Sequence, residues 1–195
     1  MKIDEGQHLM VMGVTGSGKT YWVQHELLPS YPRVLVVDTE DYDFANMPRV
    51  STKRAVQLAT GDRPFGARVV VNPFADLSQL WEGLVKRGHD LLIYIDEVTD
   101  FGRPGRLEEG IITLARKARK RRITLVAATQ RPQLLDKTLL ANAHHRVYFY
   151  LSDYDTAAVR DYCPVLQERM AEIPYGSYRY LYQTPDGVIT LEDPV

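Results

Sequence analysis

Short apolar runs recur along the chain, and each gives way abruptly to polar residues or glycine. His8 to Met12 leads into Gly13, Arg33 to Val37 ends at Asp38, and Arg68 to Val71 ends at Asn72-Pro73. Leu91 to Ile95 ends at Asp96-Glu97, Ile123 to Ala128 at Thr129-Gln130, and Arg146 to Leu151 at Ser152-Asp153. Runs that are apolar throughout, rather than alternating, predict strands covered on both faces. Helical periodicity fills the intervals. Lys19 to Leu28 opens a helix that Pro29 stops, and a short helix is expected around Thr52 to Leu58. Asp76 to Arg87 places Leu77, Leu80, Trp81, Leu84 and Val85 on one face, with Asp76 as N-cap and Gly88 as terminator. A further helix from about Leu107 to Lys120 has Leu107, Ile111, Leu114, Ala115 and Ala118 as its inner stripe. Gly102-Arg103-Pro104-Gly105 reads as a loop, and Asp41 to Pro64 is otherwise irregular. Near the C-terminus, Gly176 to Gln183 and Val188 to Leu191 flank Thr184-Pro185-Asp186-Gly187, which predicts a β-hairpin with alternating tyrosines. A half-exposed strand explains those tyrosines; a subunit contact or a base-stacking surface are the functional alternatives. Strands alternating with helices predict an α/β protein whose ligands gather at the C-terminal ends of the strands.

Composition sharpens this picture only in places. At 195 residues, with 45% hydrophobic and 25% charged residues, one globular domain is expected. No apolar run approaches the roughly 18 residues of a membrane span, and Met-Lys-Ile-Asp-Glu lacks the apolar core of a signal peptide. Cys163 is the single cysteine, so no intrachain disulfide can form and a reducing cytoplasm is the expected compartment. A formal net charge of −1 argues against a generally basic nucleic-acid binder, leaving such contacts to a local patch.

The chemistry lies where the apolar runs end. Gly13, Val14, Thr15, Gly16, Ser17, Gly18, Lys19 and Thr20 fit G-x-x-x-x-G-K-[ST], framed by a strand before and a helix after. In that setting the glycines let backbone N–H groups face phosphate oxygens, and the helix N-terminus adds its partial positive charge. Lys19 then reaches the β/γ-phosphates of ATP and the Thr20 hydroxyl ligates Mg²⁺. Asp96 fits the Walker B role opposite Thr20, and Glu97 beside it can polarise a water for in-line attack. Two solvated acids at a strand end would be the plain alternative. Gln130 can sense the γ-phosphate or the attacking water. From Arg116 to Arg122 every residue except Ala118 is basic. A solvated helix end accounts for two or three such charges; phosphate-backbone contacts by Lys117, Lys120, Arg121 and Arg122 account for more. His144 and His145 predict no metal site, since adjacent histidines point apart and lack nearby ligand spacing.

The phrase from Leu114 onward, a helix ending Ala-Arg-x-x-x-Arg, then an apolar strand, then Ala-Thr-Gln-Arg-Pro at Ala128 to Pro132, resembles the FtsK/HerA superfamily of DNA-pumping ATPases. With the P-loop and the Asp-Glu pair, the resemblance covers roughly residues 8 to 151. It implies a RecA-like ASCE P-loop NTPase fold, a mostly parallel central sheet flanked by helices, with the Gln-bearing strand between the P-loop and Walker B strands. It also implies a homo-oligomeric ring, usually a hexamer, around double-stranded DNA. By that likeness Gln130 is the sensor and Arg119 the arginine finger, with Arg116, Arg122, Arg131 and Arg146 next in line. The remaining residues, about 152 to 195, are expected to add a helix and the hairpin to a single domain. Cellular members carry membrane segments, a barrel or a winged helix for which a chain of this length has no room. A bare motor core is similar to the genome-packaging ATPases of tailless icosahedral viruses. That implies host cytoplasm or virion as its place, and a capsid vertex or viral membrane proteins as partners. Plasmid-transfer and phage-assembly ATPases share the pattern. Outside the superfamily, a small-molecule or nucleoside kinase also has a P-loop but does not need Glu97, and a non-motor ATPase could organise assembly at a membrane.

Overall fold

The computed structural model describes residues 2–42, 44, 47–72 and 75–194; Pro73, expected to close the third apolar run, lies outside them. Strand β1 (Leu9–Met12) turns through the glycine loop into α1 (Lys19–Trp22), which continues as a wider π-helical segment (Val23–Leu27) and a 3-10 turn (Leu28–Ser30). Then come β2 (Arg33–Asp38), α2 (Thr52–Thr60), β3 (Phe65–Val70), α3 (Ser78–Arg87) and β4 (Leu91–Ile95). A small hairpin of β5 (Gly102–Arg103) and β6 (Arg106–Leu107) precedes α4 (Glu109–Lys117), which tightens into a 3-10 turn (Ala118–Arg121) before β7 (Ile123–Thr129). After it lie α5 (Lys137–Asn142), β8 (His145–Tyr148), α6 (Asp153–Ala158), α7 (Leu166–Arg169), β9 (Tyr180–Gln183) and β10 (Ile189–Glu192).

Eight strands form one sheet in the order β10-β9-β8-β1-β7-β4-β2-β3. The six from β8 to β3 run parallel, and the C-terminal hairpin extends the sheet antiparallel on β8. Strand β7 lies between β1 and β4, as the resemblance implies. The central strands are buried along their whole length, and their side chains sort strictly by parity. Leu9, Val11, Val34, Val36, Leu92, Tyr94, Val126 and Ala128 meet Trp22, Val23 and Leu27 of the first helical segment on one face. Met10, Met12, Leu35, Val37, Ile93, Ile95, Leu125 and Ala127 meet α2 to α5 on the other. Each fully buried Val or Leu contributes about 1.5–3 kcal/mol, so a one-residue slip in register would exchange the two faces and their partners at once.

Differences from expectation have local causes. The helix expected from Leu107 begins at Glu109, because Leu107 belongs to β6, whose partner β5 lies in the stretch read as a loop. Leu107 still joins the same core, so helical periodicity runs on through a non-helical residue. Pro29 does not stop the first helix abruptly; it sits at the start of the 3-10 turn, where its missing N–H is tolerated. Helix α3 starts at Ser78, with Asp76 Oδ1 accepting from Ser78 N at 2.9 Å and Gly88 N–H closing on the Leu84 carbonyl. Strand β8 ends at Tyr148, short of the expected Leu151, and β3 begins earlier, at Phe65, with partly exposed residues alternating with buried ones as suits an edge.

His8, just ahead of β1, fixes a pH dependence. Its buried ring accepts from Leu125 N–H at Nδ1 and donates from Nε2 to the Ala115 carbonyl at 3.0 Å, so both nitrogens are satisfied in the neutral form. Burial, with His144 and Arg119 nearby, pulls its pKa down to about 4. The unfolded chain binds this proton near pH 6.5 and the folded one does not, so the stabilisation is complete above 6.5 and is lost as pH falls toward 4. At the full shift this amounts to about 3 kcal/mol. The thermal midpoint should drop between pH 7 and 4.5, and a His8→Gln variant should show a flatter slope.

Candidate active site

The loop from Gly13 to Thr20 forms where β1 leaves the sheet. Gly13 N–H donates to Thr129 O at 3.3 Å and Val14 N–H to Tyr150 O at 3.0 Å, tying the loop to the ends of both neighbouring chain segments. Gly16 and Gly18 take φ of 72° and 101°, the left-handed region open to glycine. A Cβ on Gly13 would stand 2.6 Å from Phe149 Cβ and Ser17 Oγ, so no side chain fits there. Lys19 is buried, and its Nζ donates to the Gly13 and Val14 carbonyls at 2.8 and 3.0 Å. Burial lowers its pKa, while Glu97, Asp96 and Glu40 work to keep it charged. Ser17 Oγ is buried with no hydrogen-bond partner among the described residues.

Asp96 follows β4 and is largely sequestered. Tyr94, fully buried two residues earlier, donates from its hydroxyl to Asp96 Oδ1 at 2.8 Å and also interacts with Thr20. Burial pushes the Asp96 carboxyl up to about 6; the Tyr94 bond and Lys19 pull the other way, and Asp38 and Glu97 add to the rise. Asp38, at the end of β2, is fully buried, with Oδ1 accepting from Glu40 N–H and Oδ2 unpartnered among the described residues. Desolvated carboxylates short of positive charge beside a Thr hydroxyl are what a hard cation neutralises. Among the described residues no cluster of three or more His, Cys, Asp or Glu is poised as a metal centre. Thr20 and Asp96 fit instead the way Mg²⁺ is held, by one or two protein groups together with phosphates.

Glu97 has φ 45° and ψ 63°, a costly conformation for a residue with a side chain, worth about 1–3 kcal/mol. Its carboxylate explains how the strain is held. Oε1 accepts from the hydroxyls of Thr99 and Thr129, the latter at 2.9 Å, and Oε2 accepts from Gln130 N–H at 3.0 Å. Thr129 Oγ1 in turn accepts from Arg131 N–H at 2.9 Å. Gln130 Oε1 accepts from the Thr15 hydroxyl. P-loop, acid strand and β7 are thus joined in one hydrogen-bonded cluster at the C-terminal ends of adjacent parallel strands. The sequence singled out Glu97, Asp96, Gln130 and the loop residues, and all of them meet here. It did not assign roles to Thr99, Thr129, Tyr94 or Asp38; Asp38 and Thr129 carried a signal, as polar residues that close apolar runs.

The basic run lies elsewhere. Arg116, Lys117, Arg119, Lys120, Arg121 and Arg122 are exposed at the opposite end of β7. Arg122 donates to Asp90 Oδ1 and lies 3.7 Å from Glu5, and the Arg122 hydrogen bond holds the Asp90 carboxyl down to about 2. The other five form no ion pair among the described residues. The nitrogens of His144 and His145 bond within the fold: His144 Nδ1 accepts from His8 N–H, and His145 pairs with Gln7 and with the Tyr182 hydroxyl.

No protein-family model matches the chain. Protein P9 of Pseudoalteromonas phage PM2 is 31% identical over 147 residues, a match that spans 71% of this chain and 66%, just under two thirds, of that protein. Among solved structures, the genome packaging NTPase B204 from Sulfolobus turreted icosahedral virus 2, in complex with AMPPCP, superposes with a TM-score of 0.79 at 16% identity, covering 98% of each chain. The pCW3 conjugation coupling protein TcpA, with ATPgS, gives a TM-score of 0.65 at 16% identity over 99% of this chain and 61% of that one. Among the described residues no helix is long and apolar enough to cross a membrane.

Proposed function

We propose, from its motifs, its fold and its relatives, that the chain belongs to the FtsK/HerA superfamily of P-loop ATPases and that it hydrolyses ATP to drive double-stranded DNA into a viral capsid. The observation that carries hydrolysis is the Glu97 carboxylate, held against β7 by Thr129 and the Gln130 amide beside the P-loop. In this reading the loop N–H groups take the triphosphate, and Lys19 exchanges its carbonyl partners for β/γ oxygens. Thr20 and Asp96 would hold Mg²⁺, which when bound neutralises charge on those oxygens. Glu97 accepts a proton from the attacking water, whose oxygen bonds to the γ-phosphorus as the bond to ADP breaks. Gln130 orients that water. Asp38 adds a second buried negative charge that a bound cation would offset, and Tyr94 fixes the rotamer of the Asp96 carboxyl.

Translocation draws its support from the exposed cations at and beyond the end of α4, with Lys117, Lys120 and Arg121 the contacts to DNA phosphates and Arg122 already answered by Asp90. A ring of identical subunits, hexameric by the likeness, would surround the duplex. Packaging follows the relatives, since B204 is a genome packaging NTPase and Protein P9 is a phage protein. The capsid vertex or a viral membrane protein would then be the docking partner.

ATP turnover should rise on adding double-stranded DNA of any sequence, and the rise should fade as salt increases from 50 to 200 mM, because phosphate contacts release counterions. A steady-state phosphate-release assay with and without DNA checks this. Stoichiometric phosphoryl transfer to a nucleoside, with no response to DNA, would replace the motor by a kinase.

A further inference from the structure

Directly after the turn that follows Glu97, β5 and β6 fold into an exposed hairpin. Gly102 to Arg106 all face solvent, while Phe101 and Leu107 on either side are buried and anchor its base. Arg103 and Arg106 pair directly across it, and the side chain of neither forms an ion pair or hydrogen bond among the described residues. We infer that this hairpin is an arm that grips the phosphate backbone of duplex DNA, an assignment that rests on the DNA reading above and adds a contact tied to the hydrolytic cluster.

Like charges set opposite each other on two strands repel and cost stability. Here the flanking acids do not offset them. Asp100 Oδ2 accepts from the Thr39 hydroxyl at 3.0 Å, and Glu108 Oε2 accepts from Trp81 Nε1 at 2.6 Å, so both are turned toward the fold. Backbone shape holds the two arginines at close spacing. A Cβ on Gly102 would stand 2.5 Å from Arg106 O, so the strands approach more closely than another residue allows. Pro104 and Gly105, the latter at φ 73°, make the tight turn between them. A Cβ on Gly105 would meet nothing within 4 Å, so space is open at the tip. Two uncompensated guanidiniums beside an open tip suit a polyanion. Their Cβ atoms are about 5 Å apart by cross-strand geometry, within side-chain reach of successive phosphates on one strand, which rise about 3.4 Å each along the axis. The exposed residues offer no aromatic or amide side chain to read a base edge, so the contact is independent of sequence.

The arm is fastened to the strands bearing Glu97 and Gln130. Asp100 N–H donates to Glu97 O at 2.9 Å and Phe101 N–H to Val98 O at 3.2 Å, so the base of the hairpin continues the turn that begins at Glu97. At the tip, Gly105 N–H donates to Leu134 O at 2.9 Å, and Leu134 N–H closes on the carbonyl of Arg131, the residue after Gln130. A shift at Glu97 or Gln130 therefore reaches the arm through a few hydrogen bonds. The basic run lies a strand's length away, at the other end of β7. The hairpin is thus the contact whose grip follows the nucleotide.

Fluorescence anisotropy with short labelled duplexes tests this on the intact protein, loaded with Mg²⁺ and either AMPPCP or ADP. The parent should bind duplex more tightly with AMPPCP. Arg103→Ala/Arg106→Ala should weaken that state about tenfold for unrelated sequences alike and reduce the slope of log affinity against log salt by about 1.8, the share of two phosphate contacts. Arg103→Lys/Arg106→Lys should keep the parental slope. Because the alanine pair removes a repulsion, its thermal midpoint should not fall, which separates a lost contact from a lost fold. Parental affinity and slope in the alanine variant would overturn the assignment. Parental DNA binding with self-association lost in sedimentation would do the same, handing the arginines to a neighbouring copy. Equal duplex affinity of the parent with AMPPCP and ADP would remove the tie to the nucleotide. If the parent binds no duplex with either nucleotide, the DNA reading itself fails; if Lys117→Ala/Lys120→Ala/Arg121→Ala abolishes binding and the hairpin variant does not weaken it, only the hairpin assignment falls.

Discussion

Glu97→Gln protein should bind ATP as tightly as the parent and hydrolyse it at least about 10²-fold more slowly. The substitution keeps the length and planarity of the side chain, and its Oε1 can still accept from the Thr129 hydroxyl and from Gln130 N–H, which bond the parent Oε1 at 2.9 and 3.3 Å. The charge and basicity that take the water's proton are what disappear. Lys19→Ala gives the contrast. Its ammonium is buried between the Gly13 and Val14 carbonyls, and among the described residues no second cation bonds to them. Nucleotide binding itself should therefore collapse in Lys19→Ala. Equilibrium binding measured beside single-turnover hydrolysis separates the two effects. Equal loss of binding in both variants would strip Glu97 of its proton-accepting role and leave it as a strut between β4 and β7.

A still larger loss in rate, about 10³- to 10⁵-fold, is expected for Arg119→Ala in the assembled ring, with ATP affinity retained. Arg119 is exposed in the turn ahead of β7, and Gln130 follows the other end of that strand. Seven residues of parallel strand put about 23 Å between those ends, far beyond the reach of an arginine side chain. Its own P-loop is out of range, so in the proposed ring a neighbour's would be the site left to it. Mixing Arg119→Ala with Lys19→Ala subunits should restore part of the activity, because some interfaces then pair an intact loop with an intact guanidinium. Mixed rings that show no rescue would move the finger to Arg116, Arg122, Arg131 or Arg146. Full hydrolysis by a monomer would end the trans-acting mechanism altogether.

What could be read from the chain alone followed from how local each signal was. The strands bearing the site announced themselves because burial on both faces demands unbroken apolar runs, and the polar residues closing them are the chemical ones. Hence Lys19, Asp96, Glu97 and Gln130 were found together. Periodicity misled at Leu107, which packs into the same core as α4 from a strand of the preceding hairpin. Gly66 interrupted the apolar pattern of β3 and hid its first residues, although Phe65, Gly66 and Ala67 pair in register with Arg33, Val34 and Leu35. The clamp on Glu97 was invisible for a different reason. Thr99 and Thr129 gain their meaning only from the left-handed turn at Glu97, which no residue-type preference encodes. The hairpin after Glu97 was the hardest to place: Gly102-Arg103-Pro104-Gly105 reads as a loop by composition, and only the pairing of Arg103 with Arg106 and the Gly105 bond to Leu134 set it beside the end of β7.

Strand β7 has one more consequence. It is buried from end to end and hydrogen-bonded on both sides, to β1 and to β4, so it has no freedom to bend or slip by itself. In the proposed motor, one end would meet the residue that senses the γ-phosphate and the other the residue offered to the next subunit. A connecting rod of this kind delivers displacement without delay or attenuation, whereas a hinged lid would first have to close. In a ring built from such subunits, the firing order would be geared through the sheets, and each subunit's exhaust stroke would set the ignition of its neighbour.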